Sequence, residues 1–232
     1  MPKDLTTDVS GSNAGRLLTD WADKVMADFR QTCCAWRGRL QVVFAVTRNS
    51  LADFIKAFSA TLTLTRCQDL IERFEADRPH HEEKRIENGY SFTQLDVTAA
   101  WPDVDAEIEA ILNACYHQYH ALLNLGRAWP LRYQHEHIRL KRYRPGGRDS
   151  FPPHVDVTSQ ATCRRFCTAI LYLNDPGGGG ETLFPDLGIT VMPEPGKLLM
   201  FPPLWTFPHA GLPPSRQAKY ILHSYVGYPP DN

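Results

Sequence analysis

The sequence predicts an α+β fold, in which helices of the first half support a β-sandwich or jelly roll formed by the second half. With 232 residues, 43% of them hydrophobic, the chain can bury a sizeable core. Apolar residues recur at three- and four-residue steps in the first half, but at every second position from residue 136 onward. Most of the 18 prolines and 15 glycines follow residue 144, as expected of strands joined by turns.

The first half is predicted to be helical. Residues 1–15 should form a disordered lead-in without the apolar core of a signal peptide, and residues 16–134 a helical support region packed on the core. Helices are expected over 14–29, 65–77 and 102–126. In the last of these, Pro102 should begin the helix and Gly126 should end it.

Residues 135–229 are predicted to form the core domain. Strands are expected over 137–143, 164–174, 196–202 and 219–228, with the turns PGG, DPGGGG and PEPG among them. Since alternate residues of a strand share a face, three groups should each lie together. These groups are Arg139, Lys141 and Tyr143; Thr168, Ile170 and Tyr172; and Lys219, Ile221, His223 and Tyr225.

Composition limits the classes of partner. A net charge of -1 provides no general attraction to nucleic acid or to an anionic membrane, and no apolar run approaches the roughly 20 residues that span a bilayer. The six cysteines form no CxxC pair, which favours buried, reduced thiols in a cytoplasmic protein. Nucleic acid and membrane are therefore not the expected partners.

His154 and Asp156 in the stretch FPPHVD could offer a nitrogen and an oxygen to one metal ion from the same strand face. His209, in a turn-rich segment, could reach back to them, and two histidines with one carboxylate suit non-haem Fe(II). Spacing alone does not decide this. The pair His117 and His120 and the run 135–137 (HEH) have comparable ligand spacing, and an HxD pair arises easily by chance.

Lys219 shares a predicted inward face with Ile221, His223 and Tyr225. A lysine at an inward strand position is costly unless an anion meets it. A dicarboxylate that chelates iron at one end could bring its other carboxylate to this ammonium. The inward position of Lys219 therefore favours the interpretation that the HxD pair binds a metal ion.

The ordered set Tyr143, His154-x-Asp156, YLND with GGGETLF, PGKLLMFP, His209 and Lys219 resembles the prolyl 4-hydroxylase group of Fe(II)/2-oxoglutarate dioxygenases, over residues 136–228. The resemblance implies a double-stranded β-helix (jelly-roll) core. It implies Fe(II) bound by His154, Asp156 and His209, with 2-oxoglutarate as cosubstrate and O2 as oxidant; ascorbate is a candidate reductant. It further implies that Lys219 pairs with the far carboxylate of 2-oxoglutarate.

Other residues are expected around the cosubstrate. Tyr143 and Tyr172 should contact it, and Thr168 shares the inward face of Tyr172. Tyr225 should wall the pocket, although these hydroxylases usually carry tryptophan at this position. The carboxylate of Asp156 disfavours halogenation, because related halogenases have a small residue there.

The substrate is the least determined part. Arg139 and Lys141 could bind an acidic group at the mouth of the site, or could belong to a basic edge strand that reaches water. Trp205 could touch substrate or pack within the barrel. A peptidyl proline is the first substrate hypothesis, and a free amino acid or other small anionic metabolite is the second. Dealkylation of nucleic acid and a non-catalytic jelly-roll binding module are more distant alternatives.

Overall fold

A computed structural model gives the positions of residues 50–86 and 90–230, with the backbone alone for Ile86 and Tyr90. The predicted lead-in and the predicted N-terminal helix both precede residue 50 and lie outside the described residues. The predicted helices over 65–77 and 102–126 lie within them and can be compared.

Two of the described helices are long. The helices are α1 (Leu64–Ala76), α2 (Val97–Ala100) and α3 (Pro102–Leu123), and 3-10 helices span Leu51–Phe54, Arg78–His80, Gly126–Ala128 and Pro185–Leu187. The side chain of Thr63 caps α1 by accepting the backbone N–H of Arg66 at 3.2 Å. Pro102 begins α3, as predicted. The predicted end at Gly126 is wrong, because α3 stops at Leu123 and Asn124 takes the left-handed conformation with φ 49°.

Two antiparallel sheets form the core. Their strands are β1 (Lys56–Phe58), β2 (Glu82–Ile86), β3 (Tyr90–Asp96), β4 (Gln134–His135), β5 (Arg139–Tyr143), β6 (Phe151–His154), β7 (Arg165–Tyr172), β8 (Thr182–Phe184), β9 (Ile189–Val191), β10 (Leu198–Phe201), β11 (His209–Gly211) and β12 (Lys219–Gly227). The larger sheet has the order β1-β10-β7-β12-β5-β3-β2, with β4 beside β12, and the smaller has the order β6-β11-β8-β9. The predicted jelly-roll architecture is confirmed.

The larger sheet separates two apolar clusters, as the alternation of its strands requires. Leu171 of β7 and Leu222 of β12 pack with buried residues of α1 and α3 in one cluster. Ile170 and Ile221, their neighbours in sequence, pack with Phe184 of the smaller sheet in the other cluster. One face of the sheet is therefore covered by helices, whereas the opposite face meets the smaller sheet and surrounds the site.

The region predicted as helical support is not wholly helical. Its described residues also contribute β1, β2 and β3 to the larger sheet. Strand β3 pairs with β5 from Thr93↔Arg142 to Asp96↔Arg139, so it belongs to the same sheet as the predicted core strands. The polar sequence EEKRI of β2, at the sheet edge, hides the strand pattern, because edge strands are commonly charged. The domain boundary at residue 134 stays a prediction.

Candidate metal centre and its cavity

His154, Asp156 and His209 converge where β6 and β11 pair. His154 ends β6 and lies directly opposite His209, the first residue of β11. The Nε2 atoms of His154 and His209 lie 3.4 and 3.6 Å from the Oδ1 and Oδ2 atoms of Asp156. One ligand atom of each residue lies within 4.8 Å of the others. The segment is turn-rich as predicted, but His209 itself begins the short strand β11, and strand pairing rather than a loop holds the two imidazoles side by side.

Both imidazoles are oriented through their second nitrogen. Nδ1 of His154 lies 2.8 Å from the carbonyl oxygen of Pro152, and Nδ1 of His209 lies 3.1 Å from that of Phe207. A carbonyl only accepts, so Nδ1 carries the proton and the unprotonated Nε2 faces Asp156. Burial lowers the pKa of His209 to about 4 and keeps the ring neutral at pH 7. Two neutral imidazoles and one carboxylate are a donor set that fits Fe(II).

The carboxylate of Asp156 is held by hydroxyl groups from the larger sheet. Thr168 of β7 donates to Oδ2 at 2.8 Å, and Tyr225 of β12 donates to Oδ1 at 2.9 Å. Asp156 is only 8% exposed, and burial by itself would raise its pKa. The contact with His154 and the nearby histidines outweigh burial, so the pKa of Asp156 lies well below its usual range. The carboxylate is therefore an oriented anion.

Sequence analysis placed Thr168 and Tyr225 beside the cosubstrate, and the structure adds their bonds to Asp156. It also adds two residues that sequence analysis missed. The guanidinium of Arg165 lies 3.7 Å from the ring centre of Tyr225 and donates to the backbone oxygen of Asp156 at 3.1 Å. Glu136 accepts two hydrogen bonds from Arg165, both of 2.7 Å. No spacing rule connects residues 136 and 165, so only the folded sheet could reveal this pair.

The ligand set opens into a cavity of about 520 Å³, counting the space at its mouth. Its walls include most of the sequence-predicted residues, namely Lys141, Tyr143, His154, Asp156, His209, Lys219 and Tyr225. Ile221 and His223 complete the predicted inward face of β12. Tyr172 reaches the wall indirectly, because its hydroxyl lies 2.7 Å from that of Thr182, which lines the cavity.

Lys219 closes one end of the cavity. It is 3% exposed, and its Nζ lies 5.6 Å from the ring centre of Tyr143 and 5.3 Å from that of Tyr172. Gly180 packs against its stem: at φ +79°, a Cβ there would lie 3.2 Å from Cδ of Lys219. No carboxylate of the described residues forms an ion pair with this ammonium, and burial lowers its pKa to about 7. Glu181 acts on Lys219 electrostatically but forms no ion pair with it, so a ligand could provide the direct counter-ion.

The three residues predicted to contact substrate lie in three different environments. Lys141 lines the cavity, with Nζ 3.4 Å from Nδ1 of His223. Arg139 is not among the described lining residues, and its guanidinium lies 3.9 Å from Asp96. Trp205 does not pack within the barrel, because it is 78% exposed on the segment that joins β10 to β11.

A family model described as the 2OG-Fe(II) oxygenase superfamily matches residues 138–227. This part of the chain is therefore similar to the 2OG-Fe(II) oxygenases. The matched range lies within residues 136–228, where sequence analysis found the resemblance. The superfamily name implies Fe(II), 2-oxoglutarate and O2, and the cluster of His154, Asp156 and His209 in this chain is a ligand set that fits Fe(II). A search of curated proteins gave no match.

Solved prolyl hydroxylases share the fold of this chain. A prolyl-4-hydroxylase from Pseudomonas putida aligns with TM-score 0.59 and 19% identity, over 75% of this chain and 92% of that one. The viral collagen prolyl hydroxylase of Paramecium Bursaria Chlorella virus-1, in its 2OG complex, aligns with TM-score 0.53 and 21% identity, over 76% and 97%. A Trichoplax adhaerens prolyl hydroxylase, in complex with a peptide fragment of the hypoxia inducible factor oxygen degradation domain, aligns with TM-score 0.58 and 15% identity, over 75% and 84%.

Within residues 50–86 and 90–230, no helix combines the length and the apolarity needed to cross a bilayer.

Replacing Tyr225 with phenylalanine should weaken metal binding, because Oδ1 of Asp156 loses a donor while the aromatic ring beneath Arg165 remains. We expect a roughly 10- to 100-fold loss of affinity, the usual effect of removing a partner of a metal ligand. Titration calorimetry of the metal-free protein with Mn(II) measures it. Tyr228→Phe, on an exposed side chain just after β12, is the matched control and should bind Mn(II) normally. Equal affinities of both variants would contradict the role of this hydrogen bond.

Replacing Lys219 with methionine should stabilise the ligand-free fold. Burial lowers the pKa of Lys219 from 10.5 to about 7, so between these values the unfolded chain binds more protons and stability rises with pH. The destabilisation is fully present below pH 7. Lys219→Met should therefore raise Tm by several degrees at pH 7, at roughly 2–4 °C per kcal/mol, and by less at pH 9.

Differential scanning calorimetry at both pH values measures this effect. Lys84→Met removes a partly exposed lysine that pairs with Glu82 and serves as control, for which no gain in Tm is expected. A decrease in Tm for Lys219→Met would show that this ammonium stabilises the empty protein.

Proposed function

We propose that this protein is a 2OG-Fe(II) oxygenase that hydroxylates an unactivated C–H bond of an organic substrate, while 2-oxoglutarate is converted to succinate and carbon dioxide. The observation that carries the proposal is the convergence of His154, Asp156 and His209 in the cavity that buried Lys219 closes. The three side chains would hold Fe(II), which, together with 2-oxoglutarate, supplies the activation of O2. A binding module would need neither the converging ligand set nor the unpaired ammonium.

Lys219 would bind the carboxylate of 2-oxoglutarate that is remote from the metal. The supporting observation is its burial without a carboxylate partner among the described residues, between the rings of Tyr143 and Tyr172. An ammonium in such a setting is costly until an anion arrives, and the charge-assisted contact then forms in a region of low dielectric. The aromatic rings exclude water from this contact.

The chain's own contribution to the reaction is orientation. Hydrogen bonds to Pro152 and Phe207 fix the two imidazoles, and Thr168 and Tyr225 fix the carboxylate. Groups that are held before the ligands bind lose little freedom on binding, which is the usual requirement for a productive site.

The first substrate candidate is a prolyl residue of a peptide. The printed names of the solved neighbours describe prolyl hydroxylases, and one of them holds a peptide fragment. In this chain, Trp205 exposes a large apolar surface four residues before His209, where a bound peptide could contact it. The second candidate is a free amino acid or other small acid, which the basic cavity wall favours. In both cases the proposed substrate carries an anionic group.

The proposed compartment is the cytoplasm. Cys67, Cys115 and Cys167 are buried free thiols, whereas Cys163 is an exposed free thiol, so the predicted burial is wrong for Cys163. Free thiols fit a reducing compartment, which would also keep iron in the Fe(II) state. Ascorbate as a reductant remains a prediction.

Asp156→Ala should abolish stoichiometric Fe(II) binding and substrate-dependent succinate formation, because two neutral nitrogens remain at the site. Anaerobic Fe(II) titration and a succinate assay over a panel of prolyl peptides and free amino acids measure the two effects, and circular dichroism checks the fold. Asp186→Ala removes an exposed carboxylate and should leave both unchanged. Full Fe(II) binding by Asp156→Ala would refute the ligand assignment.

Lys219→Met should raise the KM for 2-oxoglutarate about 10- to 100-fold, the value of a lost charge-assisted contact of roughly 1.5–3 kcal/mol. The assay is uncoupled conversion of 2-oxoglutarate to succinate without substrate. Fe(II) affinity should stay the same, because Lys219 lies outside the ligand set. An unchanged KM would move the role to Arg216, whose side chain lies beside the glycine loop at Gly177.

A further inference from the structure

We infer that Lys141 is the subsite for an anionic group of the substrate, and that this group is a single carboxylate or similar monoanion near the carbon that is oxidised. The inference rests on the proposed function and deepens it, because it assigns the recognition of the substrate to one side chain.

Lys141 lies between the end of the cavity that Lys219 closes and the metal ligands. On β5 it follows Arg139 and precedes Tyr143 on the inward face, and it lies opposite Ile221 of β12. Tyr143, opposite Lys219, is two residues away, roughly 6.6 Å along the strand. In the other direction along β12, Tyr225 reaches Asp156. A group bound to Lys141 is therefore two residues along the strand nearer to the metal ligands than a group bound to Lys219.

Charge balance leaves Lys141 without a counter-ion. Among the described residues that line the cavity, the charged groups are Asp156, Lys141 and Lys219. A divalent cation and doubly charged 2-oxoglutarate cancel, and Asp156 offsets one of the two lysines. Among the groups that line the cavity, one positive charge thus remains when both ligands are bound, and Glu181, outside the lining, acts on Lys219 rather than on Lys141. Since an uncompensated charge in a partly desolvated cavity is unfavourable, the occupied site should prefer a monoanion.

The contacts of the Lys141 ammonium do not satisfy it. Its Nζ lies 3.4 Å from Nδ1 of His223 and 5.2 Å from the ring centre of Phe92. Burial holds the pKa of His223 well below its usual value, so this ring is neutral and accepts one hydrogen bond at most. Within the described part of the chain, no carboxylate forms an ion pair with Lys141. The remaining N–H groups are available to a ligand in the cavity.

Arg139, which the sequence places on the same strand face, differs from Lys141 in its surroundings. Its guanidinium lies 3.9 Å from Asp96 on the neighbouring strand β3, and it is not among the described residues that line the cavity. Of the two cations that the sequence places on this face, only Lys141 can meet a molecule beside the metal ligands.

A substrate is the better partner for Lys141 than 2-oxoglutarate itself. The remote carboxylate of 2-oxoglutarate is proposed to meet Lys219, and its other carboxylate would be compensated by the metal ion. Neither end then requires a second ammonium. The alternative, that Lys141 binds 2-oxoglutarate, can be distinguished by measurement. In that case Lys141 would be necessary for 2-oxoglutarate binding.

The test compares N-acetyl-L-proline with the neutral N-acetyl-L-prolinamide on the full chain loaded with Mn(II) and saturated with 2-oxoglutarate. Paramagnetic relaxation of the acetyl methyl protons reports binding near the metal. We expect saturable binding of the carboxylate compound by the wild type, with the amide at least tenfold weaker. Lys141→Met should lose this preference, Lys141→Arg should retain most of it, and Arg139→Met, outside the cavity, should match the wild type.

Calorimetric titration with Mn(II) and then 2-oxoglutarate separates this inference from the proposed function. Failure of the wild type to bind these two ligands would count against the proposed function. With both bound, equal relaxation by the two proline compounds, no saturable binding of either, or an unchanged preference in Lys141→Met would overturn the inference. It would also be overturned if Lys141→Met lost 2-oxoglutarate affinity as Lys219→Met is expected to do, since Lys141 would then be a cosubstrate residue.

Discussion

The burial of the Asp156 carboxylate is the constraint on which the rest of the site depends. A carboxylate that is nearly inaccessible to water must find donors within the protein, because burial without hydrogen bonds is strongly unfavourable. Its donors come from β7 and β12 of the larger sheet, whereas Asp156 follows β6 of the smaller sheet. The two sheets must therefore face each other at this point. Their closure also brings His209, paired with β6, to the other carboxylate oxygen.

Strand β12 holds the residues along the cavity wall in a fixed register relative to Asp156. It lies between β5 and β7, and its alternate residues carry Lys219, Ile221, His223 and Tyr225 along the wall. The intervening Leu222 and Val226 pack in the cluster with the helices, so the strand cannot slip by one residue without exchanging polar and apolar faces. The distance between Lys219 and the candidate metal ligands is consequently set by the rise of one strand.

A second layer supports the ligand set. Glu136 holds Arg165, and Arg165 lies on the ring of Tyr225, which donates to Asp156. Tyr225 stands where the hydroxylases that this sequence resembles usually have tryptophan. Its hydroxyl therefore adds a direct hydrogen bond to the candidate ligand Asp156. The cavity combines this ordered region with two ammonium groups that lack carboxylate partners in the described chain, Lys141 and Lys219. Such uncompensated groups reduce the stability of an empty protein and favour anionic ligands, a common compromise at functional sites.

The sequence by itself determined the fold class, the main strands and their inward faces, and the three residues that converge as a candidate metal site, because period-two alternation and motif order are local properties of the chain. It could not determine which residues meet across strands. The direct pairing of His209 with His154, the contact of Arg165 with Glu136, and the difference between Lys141 in the cavity and Arg139 beside Asp96 all depend on partners distant in sequence. Strands β1 to β3 were missed for the same reason, since β1 and β2 at the edges and β3 beside β2 take their pairing from the sheet they join. Alternation specifies the face on which a side chain lies, whereas only the packed sheets decide its neighbours.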